Sequence, residues 1–252
     1  MNKEELIIQK RFIELSNIAY KRDIVTFSDF LNLNELNILH STPKNMFSAR
    51  YETYGGYDYA ERQMVAFLPD ALYYDYNYPI EILKITPLHS KFSEELTHRD
   101  YLGAILNLGI ERSKIGDILI NNKEAYLFSA DNIAPYIQES LSRIRHTSVN
   151  INFENIDTLE YQPKLEEIKG TVPSVRLDTV LSVAFPLSRS KLVGLIEGAK
   201  VYVNGKLITT NSYHLKEGDI ISVRGMGRIS YGGIQSETRK GRYFVTVYKY
   251  IG

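Results

Sequence analysis

Near the start of the chain Ile8, Phe12, Leu15 and Ala19 recur at four-three-four spacing, which puts them on one face of a helix over residues 3–20. The stretch from Asp23 to Ser41 is shorter and broken. Within it Thr26-Phe27-Ser28-Asp29 has the form of a capping box for a following helical turn, and Pro43 stops the segment. Residues 46–54 and 64–68 pattern as strands on either side of Gly55-Gly56. Tyr51, Tyr54, Tyr57, Tyr59, Tyr73, Tyr74, Tyr76 and Tyr78 crowd this region. Such rings stack on nucleic-acid bases, but half-buried packing is the expected role.

From residue 80 the rhythm is clearer. Ile80, Ile82, Leu83 and Ile85 form a strand that stops at Pro87. Thr97-His98-Arg99-Asp100 has capping-box form and opens a helix through Leu108, ended by Gly109. Residues 115–121 and 125–129 are strands joined by the polar turn Asn121-Asn122-Lys123, a hairpin. Asp131 caps a helix expected to reach about Ile144, and Val149, Ile151 and Phe153 alternate in a strand over 146–153. The order β-α-β-β-α-β is that of a ferredoxin-like or RRM-like domain. An RRM would carry a glycine-bearing aromatic RNP1 segment, which is missing here. Tyr126 and Phe128 alternate on the second hairpin strand, where core packing or a partner contact is favoured over base stacking.

Residues 155–173 are acidic and hold Pro163, Gly170 and Pro173; part reads as a strand or extended connection, and its end as a linker. Beyond it, two short amphipathic segments lead into a strand, Val201 and Val203, and an Asn204-Gly205 turn. Ser188 is a plausible N-cap and Gly198 a plausible C-cap for a helix over 189–197. Residues 220–223 and 242–250 are further strands, with Gly232-Gly233 in the turn region between them. The expected fold class is α+β. An N-terminal helical and strand segment, 1–78, precedes the central β-α-β-β-α-β domain with its linker, 79–172, and a C-terminal α/β domain, 173–252.

Charge sharpens this division. The 252 residues carry 30 basic and 30 acidic side chains, which taken alone argues against a polyanion partner. From residue 172 onward, however, 12 Lys and Arg stand against 5 Asp and Glu, leaving an acidic remainder. A basic domain on an acidic body is the footprint of a nucleic-acid-binding module. The chain has no cysteine, so disulfides and thiolate metal sites are excluded. The charged stretch MNKEELIIQKRF has no apolar core of signal-peptide length, and no run approaches a membrane span; a cytoplasmic location is expected.

The basic part resembles the S4 RNA-binding domain. The resemblance runs through Arg176-Leu177-Asp178, Ser188-Arg189-Ser190-Lys191, Ile196-Glu197-Gly198, Val201 to Lys206, Leu215 to Asp219 and Val223-Arg224-Gly225. It implies that the two helices and the adjoining loop present one face to structured RNA, recognised by shape and phosphate position. The candidate RNA-binding residues are Arg176, Arg189, Ser190, Lys191, Lys200, Asn204, Lys206, Arg224 and Arg228. Arg189 and Lys191 fall in a first helical turn, where free backbone N–H groups also meet phosphate, and Asp178 has the structural task of orienting an arginine or capping a helix. The whole chain also resembles the YlmH family of S4-domain proteins, through His98 to Asp117 with Gly55-Gly56-Tyr57 and Glu61-Arg62 before it. That resemblance implies ribosome-associated quality control, with ribosomal and transfer RNA on a large subunit carrying peptidyl-tRNA as partners. It also implies a gene-neighbourhood link to cell division.

Two motifs point elsewhere and fail. His98-Arg99-Asp100 looks like a kinase catalytic loop, but the position five after the Asp is Ile105 rather than Asn. Arg176-Leu177-Asp178 resembles the catalytic triplet of pseudouridine synthases, yet it lies inside the S4-like domain. His40, His89, His98, His146 and His214 are not at metal-ligand spacing, and there is no Walker A, dinucleotide fingerprint or nucleophile elbow. The expectation is a monomeric, non-enzymatic RNA-binding protein with no catalytic residues, cofactor or metal. Its acidic body is a possible protein-partner surface. An RNA-modifying enzyme of unknown chemistry, or a cell-division scaffold with accessory RNA binding, are the alternatives.

Overall fold

In the computed structural model, which describes residues 3–89, 91, 93–155 and 164–251, the chain forms two compact units, Met1–Tyr161 and Gln162–Gly252. The first opens with helix α1 (Lys3–Arg22), whose Phe12, Ser16 and Ala19 are buried. Then come β1 (Thr26–Phe27), α2 (Leu33–Ser41), β2 (Arg50–Tyr54) and β3 (Met64–Leu68). The three strands form a sheet in the order β1-β3-β2, and α1 and α2 close its core over Val65 and Phe67. Thr26 to Asp29 is not a capping box. Thr26 and Phe27 pair with Phe67 and Ala66 as a strand, and α2 is capped instead by Asn32, whose side chain accepts from the Asn34 and Glu35 amides while the Glu35 carboxylate accepts from the Asn32 N–H.

The rest of this unit is β4 (Ile80–Pro87), α3 (His98–Leu106), β5 (Ile115–Asn121), β6 (Glu124–Ala130), α4 (Ala134–Ser140), β7 (Arg143–Ile144) and β8 (Thr147–Glu154). The sheet order β5-β6-β4-β8-β7 is the ferredoxin-like arrangement with one added edge strand. At the start of α3 the Asp100 carboxylate receives both the N–H and the hydroxyl of Thr97, at 2.8 and 2.7 Å. The second helix is shorter than its apolar spacing predicts. It ends at Ser140, and Arg143 and Ile144 turn back as an edge strand against Ser148 and Thr147. Leu141 and Ile144 reach the same core either way, so apolar periodicity does not distinguish the two conformations.

Both faces of this sheet are used. Leu83, Ile85, Leu127 and Ile151 pack under α3 and α4. On the opposite face Ile82, Leu119, Phe128 and Ala130 pack against Phe30, Met64 and Tyr57 from the N-terminal part of the unit. Arg62 ties this second layer down, donating to the carbonyls of Phe30, Arg112 and Ile115 while Asp117 accepts from Tyr57 Oη and the amides of Glu61 and Arg62. Burial pushes the Arg62 and Arg112 guanidiniums down, Arg112 to about 10, against the pull of Asp117.

The second unit begins with β9 (Leu165–Val172), followed by α5 (Leu177–Ala184), α6 (Arg189–Glu197), β10 (Val201–Val203), β11 (Lys206–Leu207), β12 (Ile220–Val223), β13 (Gly227–Glu237) and β14 (Tyr243–Tyr250). Its sheet runs β11-β10-β12-β13-β14-β9, and α5 and α6 bury Leu177, Val180, Leu181, Leu192 and Ile196 against it. Residues 156–163 of the acidic stretch lie outside the described residues. What reads as the end of a linker is β9, an edge strand paired with β14 along its whole length. Gly232-Gly233 is not a turn. It sits inside β13, where the pairing with β14 shifts register between Tyr231 and Ser236. A Cβ on Gly232 would come within 2.5 Å of the Tyr248 ring, so the bulge depends on the missing side chain.

Candidate RNA interface

The first turns of α5 and α6 meet at Asp178. Arg176 precedes α5 in extended backbone, and its Nε and Nη2 donate to the two Asp178 oxygens at 3.1 and 2.9 Å; Arg189 Nη2 reaches the same carboxylate at 3.2 Å. The Asp178 side chain is 1% exposed, while that of Arg189 is 73% exposed. The carboxylate is therefore an internal pin and the guanidinium of Arg189 an outward-facing group. Burial pushes the Asp178 carboxyl up, but Arg176 and then Arg189 pull it further down, leaving it below the ordinary carboxylate range. The segment before β12 fixes the entry to α5, where the Leu177 amide donates to the Tyr213 carbonyl.

Ser188 caps α6 through the Lys191 amide, and its hydroxyl lies 3.1 Å from that of Ser190. Ser190 and Lys191 are exposed, and among the described residues Lys191 has no ion-pair partner. A carboxylate-oriented arginine, a free lysine and a helical first turn thus project together, an arrangement suited to oxyanions.

The remaining candidates fall elsewhere. The Arg224 amide donates to the Lys200 carbonyl at 2.9 Å, so these two lie side by side, and the Arg224 guanidinium sits 5.6 Å from the centre of the Tyr202 ring. Arg228 lies 4.2 Å over Tyr250. At the other end of β10, Asn204 is at φ +49° in the turn before Lys206. Its amide is engaged at both ends, donating to Asp219 and accepting from the Ile220 N–H, which makes it a turn brace. The structure therefore joins Arg176, Arg189, Ser190 and Lys191 in one cluster and Lys200 with Arg224 in another.

In the first unit, Phe128 cannot stack on a base. It is fully buried and stacks on Tyr57 at 5.0 Å. Tyr126 is half-buried beneath Lys84, which pairs with Glu124 at 3.0 Å. Among the described residues no group of acidic and histidine side chains could hold a metal ion, and no helix is long and apolar enough to cross a membrane.

Comparison with known proteins gives these features a context. Residues 175–221 match the S4 domain, and residues 74–158 match the family described as "Putative RNA-binding domain in YlmH". Fold and match together define an S4 domain within the second unit. Over 245 residues, 97% of this chain and 95% of the other, the chain is 28% identical to the ribosome-associated protein quality control protein P2 of Bacillus subtilis (strain 168). A solved structure of the cell division protein ylmH from Streptococcus pneumoniae shares the fold, with a TM-score of 0.51, 22% identity, and coverage of 63% of this chain and 96% of that one. The chain is thus similar, over nearly its whole length, to YlmH-type proteins that carry an S4 domain.

Proposed function

We propose that the protein is a non-enzymatic RNA-binding factor of ribosome-associated quality control that engages the large ribosomal subunit carrying peptidyl-tRNA. The observation that carries this reading is the Asp178 pin, which spends a buried carboxylate on holding Arg176 and aiming an exposed Arg189 beside Lys191. A guanidinium oriented by a buried carboxylate meets a shaped polyanion in a more defined geometry than a fully solvated side chain does. The basic excess from residue 172 onward and the whole-length relative named for ribosome-associated quality control support the same partner.

The test is co-sedimentation with ribosomes across a salt series, wild type beside Arg189→Glu/Lys191→Glu. The wild type is expected to travel with the large subunit and to dissociate steeply with salt, while the double variant stays at the top of the gradient. Wild-type protein that stays free at low salt, or a variant that sediments equally well, overturns the proposal.

A further inference from the structure

Beyond the residues that match the S4 domain, β13 and β14 make a long hairpin whose tip carries Arg239, Lys240 and Arg242. The tip is built rather than frayed. The Thr238 N–H donates to the Arg242 carbonyl at 2.7 Å, the Gly241 N–H to the Thr238 carbonyl at 2.9 Å, and the Arg242 N–H to Thr238 Oγ1 at 3.0 Å. All three cations are exposed, and among the described residues none is paired with a carboxylate. A closed turn that holds three like charges together works against their mutual repulsion, which a polyanion relieves.

Register says where this tip points. Tyr243, the first residue of β14, pairs with Val172, the last of β9, and Arg242 Nη2 donates to the Thr171 carbonyl at 3.0 Å. Val172 is four residues from Arg176, so at most about 14 Å of chain separates the base of the tip from the Asp178 pin. The base of the tip and the start of the helix cluster are consequently neighbours within this unit.

We infer that the β13–β14 tip is a second phosphate-binding element that grips the same RNA as the α5–α6 cluster, with Arg239 and Lys240 each meeting a backbone phosphate and Arg242 bracing the turn. This rests on the RNA-binding reading above. Filter binding of purified large ribosomal subunits across a salt series tests it, comparing wild type, Arg239→Gln/Lys240→Gln and Arg189→Glu/Lys191→Glu, with circular dichroism to verify folding. Each phosphate contact contributes about 0.9 to the logarithmic salt slope. Loss of two lowers the slope by about 2 and the affinity at 0.1 M salt by about sixtyfold. A tip variant that binds within twofold of wild type with an unchanged slope overturns the inference. If it does so while the helix-cluster variant loses binding, the ribosome reading stands alone. If the tip variant weakens binding and the helix-cluster variant does not, the tip is an RNA contact and the helix cluster is not the anchor.

Discussion

Replacing Asp178 by Asn removes one charge from the pin and changes almost nothing in volume. The carboxylate accepts three hydrogen bonds from two guanidiniums while its own side chain is 1% exposed. Asn keeps one acceptor oxygen and turns an NH2 donor toward donors that have no lone pair to offer. Charge-assisted bonds contribute about 1.5–3 kcal/mol each. Arg176 and Arg189 are 32% and 73% exposed, so both rehydrate when released, and screening discounts the total. The expected loss is about 2–3 kcal/mol in the second unit, below the cost of stranding a fully buried charge. Native-state hydrogen exchange on the full chain reads it as a roughly 30- to 150-fold rise in the opening constant of α5 and α6 amides, with α3 and α4 unchanged. Because the folded carboxyl lies below its ordinary value, this contribution is present above pH about 4 and disappears as pH falls through the folded value. The difference between wild type and variant must therefore shrink on acidification below about 4. A change of under threefold in α5 and α6 exchange at pH 7, or a difference that persists undiminished at low pH, would refute the assignment of Asp178 as the organiser of this face.

Phe128→Ala empties a fully buried site beneath Tyr57 and should cost about 3–5 kcal/mol in thermal unfolding, with salt-dependent RNA affinity unchanged at temperatures where the variant is folded. Arg62→Met leaves the carbonyls of Phe30, Arg112 and Ile115 without this donor. A loss of about 2–4 kcal/mol in denaturant unfolding is expected, and a variant as stable as wild type would mean that Arg62 is merely accommodated. Lys114→Met deletes a pair with Asp29 in which both side chains are about one-third exposed, and should shift stability by no more than about 1 kcal/mol in the same assay.

Elements whose burial follows one strict period were legible in the sequence. Helix α1 and β8 each show a single apolar face and form where that pattern places them, while the β5–β6 hairpin, buried on both faces, was legible from its two apolar runs around the polar Asn121-Asn122-Lys123 turn. Strand β9 was obscure because Leu165 to Gly170 lie on an edge where charged side chains meet solvent, so nothing alternates sharply. Strand β13 was obscure because Gly232-Gly233 reads as a turn, whereas the bulge uses those residues to pass the Tyr248 ring. The cations of the helix cluster were readable from the S4-like spacing. That Asn204 braces a turn, and that Asp178 holds two arginines rather than one, needed three-dimensional partners far apart in sequence. The Arg239-Lys240-Gly241-Arg242 run was open to inspection, but without β13 as a strand it had no hairpin to crown.

The pairing of β9 with β14 has a mechanical side. Leu165 lies opposite Tyr250, and the Ile251 N–H closes on the Lys164 carbonyl at 2.8 Å, so the first and last strands of the second unit begin and finish at the same corner. A pull applied through those two points does not shear the strands past one another. It loads the Leu165–Tyr250 pair first and opens the ladder one pair at a time toward Val172, as a zipper opens. The unit should therefore yield at low force when stretched from its ends.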